Sequence, residues 1–510
     1  MRQKLLFIAA VTALSTGCAV NPVTGETEFM IVSEAQELQM GAQAYVPTQQ
    51  SQGGPYDIDP DLTAYVQNVG NRLAAVSDRR LPYEFVVLNN SVPNAWALPG
   101  GKIAINRGLL TELNSEAELA AVLGHEIVHA AARHSAQQMT RGVLSQVLVV
   151  ATAVATSDSD YGNLAVGGAN LGAQVLNATY GRGAELESDR YGMQYMSEAG
   201  YDPQGAVTLQ ETFVRLSEGR RSDWLSGLFA SHPPSQARVD ANRQTAAQLP
   251  PGGKIGADDY QRAMRRTMEL KPAYDAYDEG REALAKGDRD QALALASKAL
   301  DLYGEEAHFH ALRGDVRLLE KNYDWAVTNY TRALERRDDF FYYHLQRGLA
   351  RKELRQRDAA KADLERSIEL LPTAPAYYAL GQIAEESGDY ETAIANYRVV
   401  AKSGGDYGRA ASGSLARLEL PRSPGNYIAR RCDADANGNL VVSVQNQSTV
   451  TVTGIQIAVQ YSDSAGRPQR RVQAIRGQLP PGQIASINTG LGPFAGGTCP
   501  VDVVAARVVD

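Results

Sequence analysis

Two histidines and a glutamate in the segment His125 to His129 form the pattern with the clearest chemistry in this sequence. Residues four apart lie on one face of a helix, so the two imidazoles can take two corners of a zinc tetrahedron. Glu126 lies about 100° round the helix and can act on a water molecule instead of binding the metal. The pattern therefore predicts part of a hydrolytic zinc site, with a surface helix that carries two histidines as the alternative.

The residues around the motif predict the helix that must carry it. Ser115 and Glu118 form a capping-box pattern. The stretch from Glu116 to His134 contains no proline and a single glycine, Gly124. We therefore expect the motif to lie inside a helix that covers this stretch.

A zinc ion that catalyses hydrolysis needs a third protein ligand and an open position. Glu185 and Asp189 can provide a carboxylate from a second helix, which Gly200 and Pro203 would end. Glu187 points about 200° away from Glu185, so at most one of these two glutamates can bind the metal. Spacing alone leaves Glu185 either as this ligand or as part of an ordinary solvated acidic turn.

Two other segments accompany these helices. Asn94 to Gly101 followed by Lys102 to Asn106 predicts a strand, a Pro-Gly turn and a partner strand. Gly142 to Thr156 is strongly apolar but too short to span a bilayer. A mobile flap, a plug over a cleft, a surface that touches lipid and a buried core helix all remain open for this apolar segment.

From about Asp258 to Leu420 the sequence repeats itself. Four glycines recur at spacings of 34, 34 and 33 residues, and an alanine follows each of them twelve residues later. This period, with small residues where two helices would touch, resembles the tetratricopeptide repeat and predicts an α-solenoid. The glycines are Gly280, Gly314, Gly348 and Gly381, and the alanines are Ala292, Ala326, Ala360 and Ala393.

The last part of the chain changes to a period of two. Apolar residues alternate with polar ones at Leu440 to Val444 and at Ile455 to Tyr461, which predicts a small antiparallel β-sandwich. Cys432 and Cys499 predict a disulfide in an exported chain, with two buried free thiols as the alternative. Asp433 to Gly438 looks like the start of a calcium loop, but its twelfth position lacks a carboxylate, so a hairpin turn is favoured.

Length and composition exclude several classes of protein. A chain of 510 residues predicts roughly three domains. With 44% hydrophobic and 21% charged residues, its composition is typical of a globular protein and excludes a polytopic membrane protein. A net charge of -8 opposes binding to a phosphate backbone, so we expect no nucleic-acid partner.

The first residues predict an export signal. Arg2 and Lys4 accompany an apolar stretch from Leu5 to Leu14, which is too short to remain as a membrane span. The small residues before Cys18 resemble a bacterial lipobox, so we expect Cys18 to become the lipidated mature N-terminus. Plain secretion and a retained anchor are the alternatives.

The HExxH motif and the Glu-x-Glu-x-Asp segment at Glu185 to Asp189 together resemble the membrane-associated zinc metallopeptidases that include HtpX, the Oma-type proteases and CAAX prenyl protease. Segments Asn21 to Gly25 and Ser33 to Glu37 match this family as well. With an export signal before it and tetratricopeptide repeats after it, the chain most resembles the BepA-like periplasmic group. The resemblance implies one zinc ion per chain with His125, His129 and Glu185 as ligands, and Asp189 as the partner that orients a zinc-bound histidine.

The resemblance also implies further site residues. A strand that borders the cleft would bind an extended substrate by adding it as another strand, with an ordinary core hairpin as the alternative. His232, in a Ser-His-Pro-Pro segment, would either cap the zinc at rest or stabilise the developing oxyanion, and Arg238 would join Glu126 and His232 as a catalytic residue. The strand residues are Asn94, Ala95, Trp96 and Ala97.

These inferences predict an α+β, multidomain protein. We expect a signal peptide at 1–17, a mainly helical, zincin-like metallopeptidase domain at 18–250, a repeat domain at 257–421 and a β-sandwich domain at 426–510. The resemblance implies a zinc endopeptidase, anchored by lipid to the periplasmic face of the outer membrane, that acts on unfolded or stalled envelope proteins and contacts the outer-membrane assembly machinery through its repeats. The alternative is a chaperone or scaffold of envelope assembly whose metal site is silent or capped.

Overall fold

The computed structural model describes residues 18–146, 180–219, 232–462, 467–492 and 500–509 of the chain. The chain divides into two compact units, Met1–Leu354 with Glu369–Leu371 and Arg355–Ile368 with Pro372–Asp510. The expected export signal, most of the apolar segment at 142–156 and Cys499 lie outside the described residues. Within the described ranges, no helix is both long enough and apolar enough to span a bilayer.

The first unit begins with the elements around the zinc motif, whose apolar side chains share one buried core. The elements before the motif are β1 (Cys18–Val20), β2 (Thr27–Phe29), α1 (Glu34–Ser51), α2 (Pro60–Ala74), β3 (Glu84–Leu88), β4 (Ala95–Leu98), β5 (Lys102–Asn106) and α3 (Arg107–Leu110). The motif and the residues after it form α4 (Glu116–Ala131), α5 (His134–Gln146), α6 (Arg182–Glu198), α7 (Gln204–Gly219) and α8 (Gln236–Gln248).

Strands β3, β5 and β4 form a three-stranded sheet in that order. β5 pairs parallel with β3 and antiparallel with β4. The turn between β4 and β5 contains Gly100 and Gly101, whose φ angles of 81° and 82° are accessible mainly to glycine. The predicted hairpin is therefore present, and among the described residues β4 lies at an edge of this sheet.

Helix α4 carries the HExxH motif and is buried along its whole length. The Ser115 hydroxyl caps its N-terminus by accepting a hydrogen bond from the backbone N–H of Glu118 at 3.2 Å. The Glu118 carboxylate accepts from the backbone N–H of Asn114, at 2.7 Å, and so supports the residue before the cap. Most of the side chains of α4 are small or aliphatic, which allows other elements to pack around it on all sides.

The end of α4 differs from the sequence prediction. The helix stops at Ala131, whereas its predicted stretch runs to His134. Arg133 adopts a left-handed conformation with φ 63°, through which a right-handed helix cannot continue. The Arg133 guanidinium is held at 2.8 Å from the Glu37 carboxylate and donates to the Val32 carbonyl at 2.9 Å. The chain therefore turns at Arg133, and His134 begins the new helix α5.

Helices α4 and α6 cross where two glycines meet. A Cβ atom at Gly124 would lie 3.1 Å from the Gly192 carbonyl oxygen, and one at Gly192 would lie 3.0 Å from the His125 nitrogen. Glycine at both positions thus permits a close approach of the two backbones. Glu185 and Asp189 lie on the same buried face of α6 as Gly192, so this crossing brings both carboxylates toward His125.

The first unit continues with a series of paired helices. They are α9 (Ala257–Ala285), α10 (Arg289–Leu302), α11 (Ala307–Leu319), α12 (Tyr323–Arg336) and α13 (Phe341–Glu353). At Gly314 a Cβ atom would lie 2.8 Å from the Tyr330 ring, which explains why the repeat places glycine where two helices touch. The Gln50 side chain ties the end of α1 to this array by accepting from the Phe341 N–H at 2.8 Å and donating to the Asp339 carbonyl at 2.7 Å.

The second unit contains further helices and two antiparallel sheets. Its helices are most of α14 (Arg357–Leu370), α15 (Ala374–Glu386), α16 (Tyr390–Ala401), α17 (Gly405–Glu419) and a 3-10 turn (Pro424–Asn426). Its strands are β6 (Ile428–Ala434), β7 (Leu440–Asn446), β8 (Val452–Ser462), β9 (Pro468–Leu479), β10 (Ile484–Asn488) and β11 (Val501–Val508). They form the sheets β10-β7-β6 and β11-β8-β9, whose buried residues share one apolar cluster.

Two features of this unit bear on the sequence predictions. Asp435 accepts hydrogen bonds from the backbone N–H groups of Asn437 and Asn439, and Gly438 has φ 77°, so this segment is a hairpin turn between β6 and β7. Cys432 is disulfide-bonded. The helix-rich, multidomain organisation with antiparallel sheets confirms the coarse fold prediction, whereas the sandwich packing and the domain boundaries stay predictions.

Candidate metal centre

Four buried side chains converge beside the crossing of α4 and α6. They are His125, His129, Glu185 and His232, whose potential ligand atoms all lie within 4.8 Å of one another. Helix α4 provides the first two and α6 provides the glutamate, while His232 lies in the segment that precedes α8. The structure thus brings together the three predicted zinc ligands and the predicted capping histidine.

The distances in this cluster place nitrogen against nitrogen. The Nε2 atoms of His125 and His129 are 3.0 Å apart, and His125 Nε2 is 3.2 Å from His232 Nδ1. The Glu185 carboxylate lies 3.3 Å from His129 Nε2 and 3.0 Å from His232 Nδ1. Three imidazoles and a carboxylate around one point form a donor set that suits zinc, because a cation can satisfy facing lone pairs that hydrogen bonds satisfy only in part. The residues present therefore fit a zinc ion.

Asp189 contacts the His125 ring at Nδ1, whereas Nε2 of the same ring faces the other predicted ligands. Its Oδ1 lies 2.9 Å from His125 Nδ1, and Arg238 donates to both of its carboxylate oxygens at 2.7 Å. Arg238 also lies 2.9 Å from a Glu185 oxygen. Arg238 therefore contacts both the predicted ligand Glu185 and the carboxylate of Asp189 that orients His125.

Burial and neighbouring charges shift the pKa values of the cluster in opposite directions. Burial opposes the charged form of His125, but Glu185 and Asp189 outweigh this effect and raise the pKa of His125 to about 10. Burial lowers the pKa of His129 well below its usual value. Burial also opposes ionisation of Glu185, but the neighbouring His232 and His125 keep the pKa of this carboxyl below its usual range. The ligand carboxylate is thus held in its charged form, as metal binding requires.

Glu126 stands beside the ligands without belonging to them. Its Oε2 is buried and has no hydrogen-bond partner among the described residues, and its Oε1 lies 3.6 Å from His232 Nε2. Burial raises the pKa of this carboxyl. A small cavity next to Glu126 is lined on one side by apolar residues of α6 and α7, including Met193 and Leu209. A carboxylate with one unpartnered oxygen at such a place is positioned to take up a proton.

The sequence prediction missed two contacts behind His129. His134 Nδ1 lies 2.9 Å from His129 Nδ1, and His134 Nε2 lies 3.3 Å from Glu187 Oε1. Glu187 thus points away from the ligand cluster, as its place on the helix predicts, and still reaches the site through His134. The signal for His134 was its position five residues after His129, just beyond the predicted motif.

The predicted substrate strand has two different faces. The Ala95 side chain lines the cavity beside His125 and Glu126. The Trp96 ring lies on the other face, where it meets Tyr45 with the ring centroids 6.3 Å apart. Trp96 therefore belongs to a separate apolar cluster of the core, and only its backbone shares the edge position of β4. Asn94 directly precedes β4, and Ala97 lies within it.

Comparisons with known proteins match both the part of the chain that contains the metal centre and the repeat helices. A model of peptidase family M48 matches residues 60–246, and tetratricopeptide-repeat models match residues 277–340 and 345–414. The beta-barrel assembly-enhancing protease of Yersinia pestis is 31% identical over 55% of this chain and 59% of its own length. The mitochondrial metalloendopeptidase OMA1 of Schizosaccharomyces pombe is 36% identical over 43% of this chain and 63% of its own length. The chain thus spans less than two thirds of either relative.

A shorter relative is matched along almost its whole length. Metalloprotease YcaL of Escherichia coli is 30% identical, and the alignment covers 48% of this chain and 96% of YcaL. The chain belongs to peptidase family M48. This finding confirms the family predicted from the HExxH motif and the Glu-x-Glu-x-Asp segment. The M48 match includes all the residues that converge at the centre, from His125 to Arg238, and the repeat match confirms the predicted tetratricopeptide array.

Proposed function

We propose that this M48 protein is a zinc-dependent endopeptidase. The observation that carries the proposal is the convergence of His125, His129 and Glu185, with a buried Glu126 oxygen beside them that has no hydrogen-bond partner among the described residues. A bound zinc ion would supply a Lewis acid that polarises the scissile carbonyl and lowers the pKa of a water molecule. A silent scaffold does not need a buried carboxylate oxygen without a hydrogen-bond partner at this position, because such an atom costs free energy to keep.

Glu126 would act as the general base of peptide hydrolysis. Its Oε2 would accept a proton from the attacking water molecule and then deliver it to the leaving amine nitrogen. A pKa raised by burial suits this role, because a carboxyl exchanges protons best when its pKa lies near the working pH. Asp189 and Arg238 would keep the His125 ring oriented while these steps take place.

His232 would cap the centre in a resting state. Its Nδ1 lies among the ligand atoms and its Nε2 lies 3.6 Å from Glu126 Oε1, so the ring stands between the ligands and the base. A fourth protein ligand would occupy the position that a reacting water molecule needs. The alternative role is oxyanion stabilisation. It would require the ring to move away from Glu185, whose Oε1 lies 3.0 Å from His232 Nδ1.

The substrates would be unfolded or misassembled proteins of the cell envelope. β4 lies at the edge of its sheet in the described part of the chain and borders the cavity through Ala95, so an extended segment can add to it through backbone hydrogen bonds. Recognition through backbone selects unpaired strands rather than a particular sequence. The names of the relatives from Yersinia pestis and Schizosaccharomyces pombe include beta-barrel assembly and mitochondrial metalloendopeptidase activity, which supports a role in envelope quality control.

The repeats and the C-terminal sheets would serve binding. Tetratricopeptide arrays offer extended surfaces to protein partners, and we propose the outer-membrane assembly machinery as the partner here. The two antiparallel sheets would form a β-sandwich, supported by their common apolar cluster, with Cys432 and Cys499 bridged. The domains would follow the boundaries predicted from the sequence.

The chain would be exported and anchored to the periplasmic face of the outer membrane through lipid on Cys18. The sequence before Cys18 carries this proposal. Metabolic labelling with an alkyne fatty acid checks it. We expect the label on the wild type and none on Cys18→Ser, and equal labelling of both would rule out this lipid site.

Casein degradation separates the enzyme from the scaffold. We expect zinc-loaded wild type to degrade casein and Glu126→Gln to hold the same zinc but degrade casein about 10²- to 10⁴-fold more slowly, the usual worth of a general base. A Glu126→Gln variant as fast as the wild type would remove Glu126 from the mechanism. A zinc-loaded wild type and His232→Ala that are both inactive would support the scaffold.

A further inference from the structure

The His129 ring is backed by a chain of buried and half-buried polar groups that starts in the N-terminal segment. His129 Nδ1 lies 2.9 Å from His134 Nδ1, and His134 Nε2 lies 3.3 Å from Glu187 Oε1. The Asn21 amide donates to the same Glu187 oxygen at 3.2 Å. His129, His134 and Asn21 are 1%, 3% and 0% exposed, whereas the Glu187 side chain is 23% exposed and partly reaches the surface. Ser188 Oγ is the other group near His134 Nδ1, at 3.5 Å.

Only one arrangement of protons along these hydrogen bonds leaves His129 Nε2 free to bind a metal ion. If His129 binds zinc through Nε2, its neutral ring carries its proton on Nδ1 and donates it to His134 Nδ1. His134 must then carry its own proton on Nε2, where it donates to Glu187. Glu187 is an ionised carboxylate and accepts from both His134 and Asn21. Every donor in the chain therefore meets an acceptor, and the tautomer of His129 is fixed from outside.

Asn21 is itself locked in place by the hairpin that follows Cys18. Its Oδ1 accepts from the backbone N–H of Val23 at 2.9 Å, and its own N–H donates to the Glu26 carbonyl at 2.8 Å. The strands β1 and β2 pair on either side of this turn. An asparagine with its amide and backbone all engaged is a rigid anchor for the Glu187 carboxylate.

The two histidines of α4 are thus supported in different ways. His125 meets a carboxylate directly, because Asp189 contacts its Nδ1 and is held by Arg238. His129 Nδ1 instead meets the neutral imidazole of His134, and the Glu187 carboxylate contacts the far side of the His134 ring. The support of His129 therefore depends on more parts, including one from the N-terminal hairpin.

We propose that Asn21, Glu187 and His134 form a positioning relay for His129, so that the N-terminal segment just after Cys18 is part of the metal centre. The proposal rests on the proposed zinc site and extends it. The relay fixes the orientation and tautomer of the His129 ring, which strengthens zinc binding without any contact to zinc or substrate. Loss of an outer partner of this kind typically weakens metal affinity by about 10- to 100-fold.

The zinc dissociation constant of the full chain tests the relay, measured by competition with a chromogenic chelator. We expect His134→Ala to weaken zinc binding by about 10- to 100-fold. Glu187→Gln and Asn21→Ala should weaken it progressively less, because they act through more intermediates. Glu198→Gln removes a carboxylate from the exposed end of the same helix and should leave the constant unchanged.

His134→Asn provides the rescue that a purely structural role would not show. Asparagine places an oxygen near the former Nδ1 position, which can accept from His129, but it does not extend to Glu187. We expect zinc affinity between the wild type and His134→Ala. Thermal unfolding of each metal-free variant shows whether the fold is kept. If His134→Ala does not fold, His134→Asn and Asn21→Ala decide the question.

The results separate the relay from the zinc site itself. A wild type that binds no zinc rejects the proposed function. The relay is overturned if the wild type binds zinc and His134→Ala binds it equally well. If His134→Ala does not fold, equal zinc affinity of the wild type, His134→Asn and Asn21→Ala overturns the relay instead. Wild-type affinity in Asn21→Ala alone, with loss in His134→Ala, overturns the role of the N-terminal segment.

Discussion

The first unit contains two buried groups of histidines with opposite chemistry. Four of the seven histidines in the chain lie at the metal centre and three lie among the repeat helices. In the repeats, the Nε2 atom of each ring meets a backbone carbonyl oxygen at 2.8 to 3.0 Å. These pairs are His308 with Gly53, His310 with Gly304 and His344 with Asp338. At the metal centre, ring nitrogens instead face one another.

The neighbouring charges also differ between the two groups. At the metal centre, carboxylates overcome burial and raise the pKa of His125 to about 10, while burial lowers the pKa of His129. In the repeats, burial dominates and lowers the pKa values of His308 and His310 to about 4. Burial of a histidine therefore does not by itself indicate a metal site. Nitrogens that converge on one another and on a carboxylate do, because the facing nitrogens lack the carbonyl acceptors that the Nε2 atoms of the repeat histidines have.

The largest effect is expected when the metal centre loses Glu185, compared with the loss of Glu187 from the same helix. Glu185→Ala should lose zinc and all measurable casein hydrolysis, because it removes the only carboxylate in the ligand cluster. Glu187→Ala should bind zinc at saturating concentration and keep most of its turnover, since Glu187 acts through His134. Zinc content and casein hydrolysis of the two variants check this. Stoichiometric zinc in Glu185→Ala would remove Glu185 from the ligand set.

His232→Ala tests the members of the metal centre against one another. A catalytic zinc ion needs three protein ligands, and His232 would be a fourth. If the ring caps the metal, its loss should raise casein hydrolysis severalfold at matched zinc content, with self-cleavage as a second sign. If it stabilises the oxyanion, turnover should fall by roughly a hundredfold with little loss of zinc. We expect the rise. A fall in rate would reject the cap, and an unchanged rate would place His232 outside the site.

The smallest effect on turnover is expected at His308. Its pKa is about 4 when folded against a usual value of 6.5, so the unfolded chain takes up the proton first as the pH falls. The contribution of His308 to stability is complete above pH 6.5 and is lost progressively toward pH 4, by about 3 kcal/mol in total. Gln at this position keeps a donor for the Gly53 carbonyl but does not titrate.

His308→Gln should therefore keep zinc and turnover at neutral pH and lose part of the acid sensitivity of folding. Urea unfolding at pH 7.5 and pH 5 measures this. The difference in unfolding free energy between the two pH values should be smaller in His308→Gln than in the wild type. An equal difference in both proteins would show that His308 does not control it.

Local patterns were enough to predict much of the site. The four-residue spacing of His125 and His129 placed them on one face, and the helical positions of Glu185 and Glu187 correctly separated them, as the contacts of Glu187 with His134 show. The period of the repeats predicted the helix pairs, because small residues such as Gly314 mark the places where helices touch.

The rest depended on contacts between distant parts of the chain. The end of α4 was missed because Arg133 is held in its left-handed conformation by Glu37, almost a hundred residues away, and this interaction has no local signature. His134 was missed for the same reason, since it acquires its place only after that turn. The roles of Glu185 and Asp189 came from family resemblance, because spacing could not say which helix crosses α4.

Zinc content of the purified full chain is the most direct test of the contrast between the two histidine groups. The protein would be loaded with zinc, exchanged into metal-free buffer and analysed by mass spectrometry, with His129→Ala and His308→Gln treated in parallel. We expect one zinc ion in the wild type, one in His308→Gln and none in His129→Ala. A wild type without zinc, or a His129→Ala that retains it, would contradict the assignment of the converging nitrogens as a zinc site.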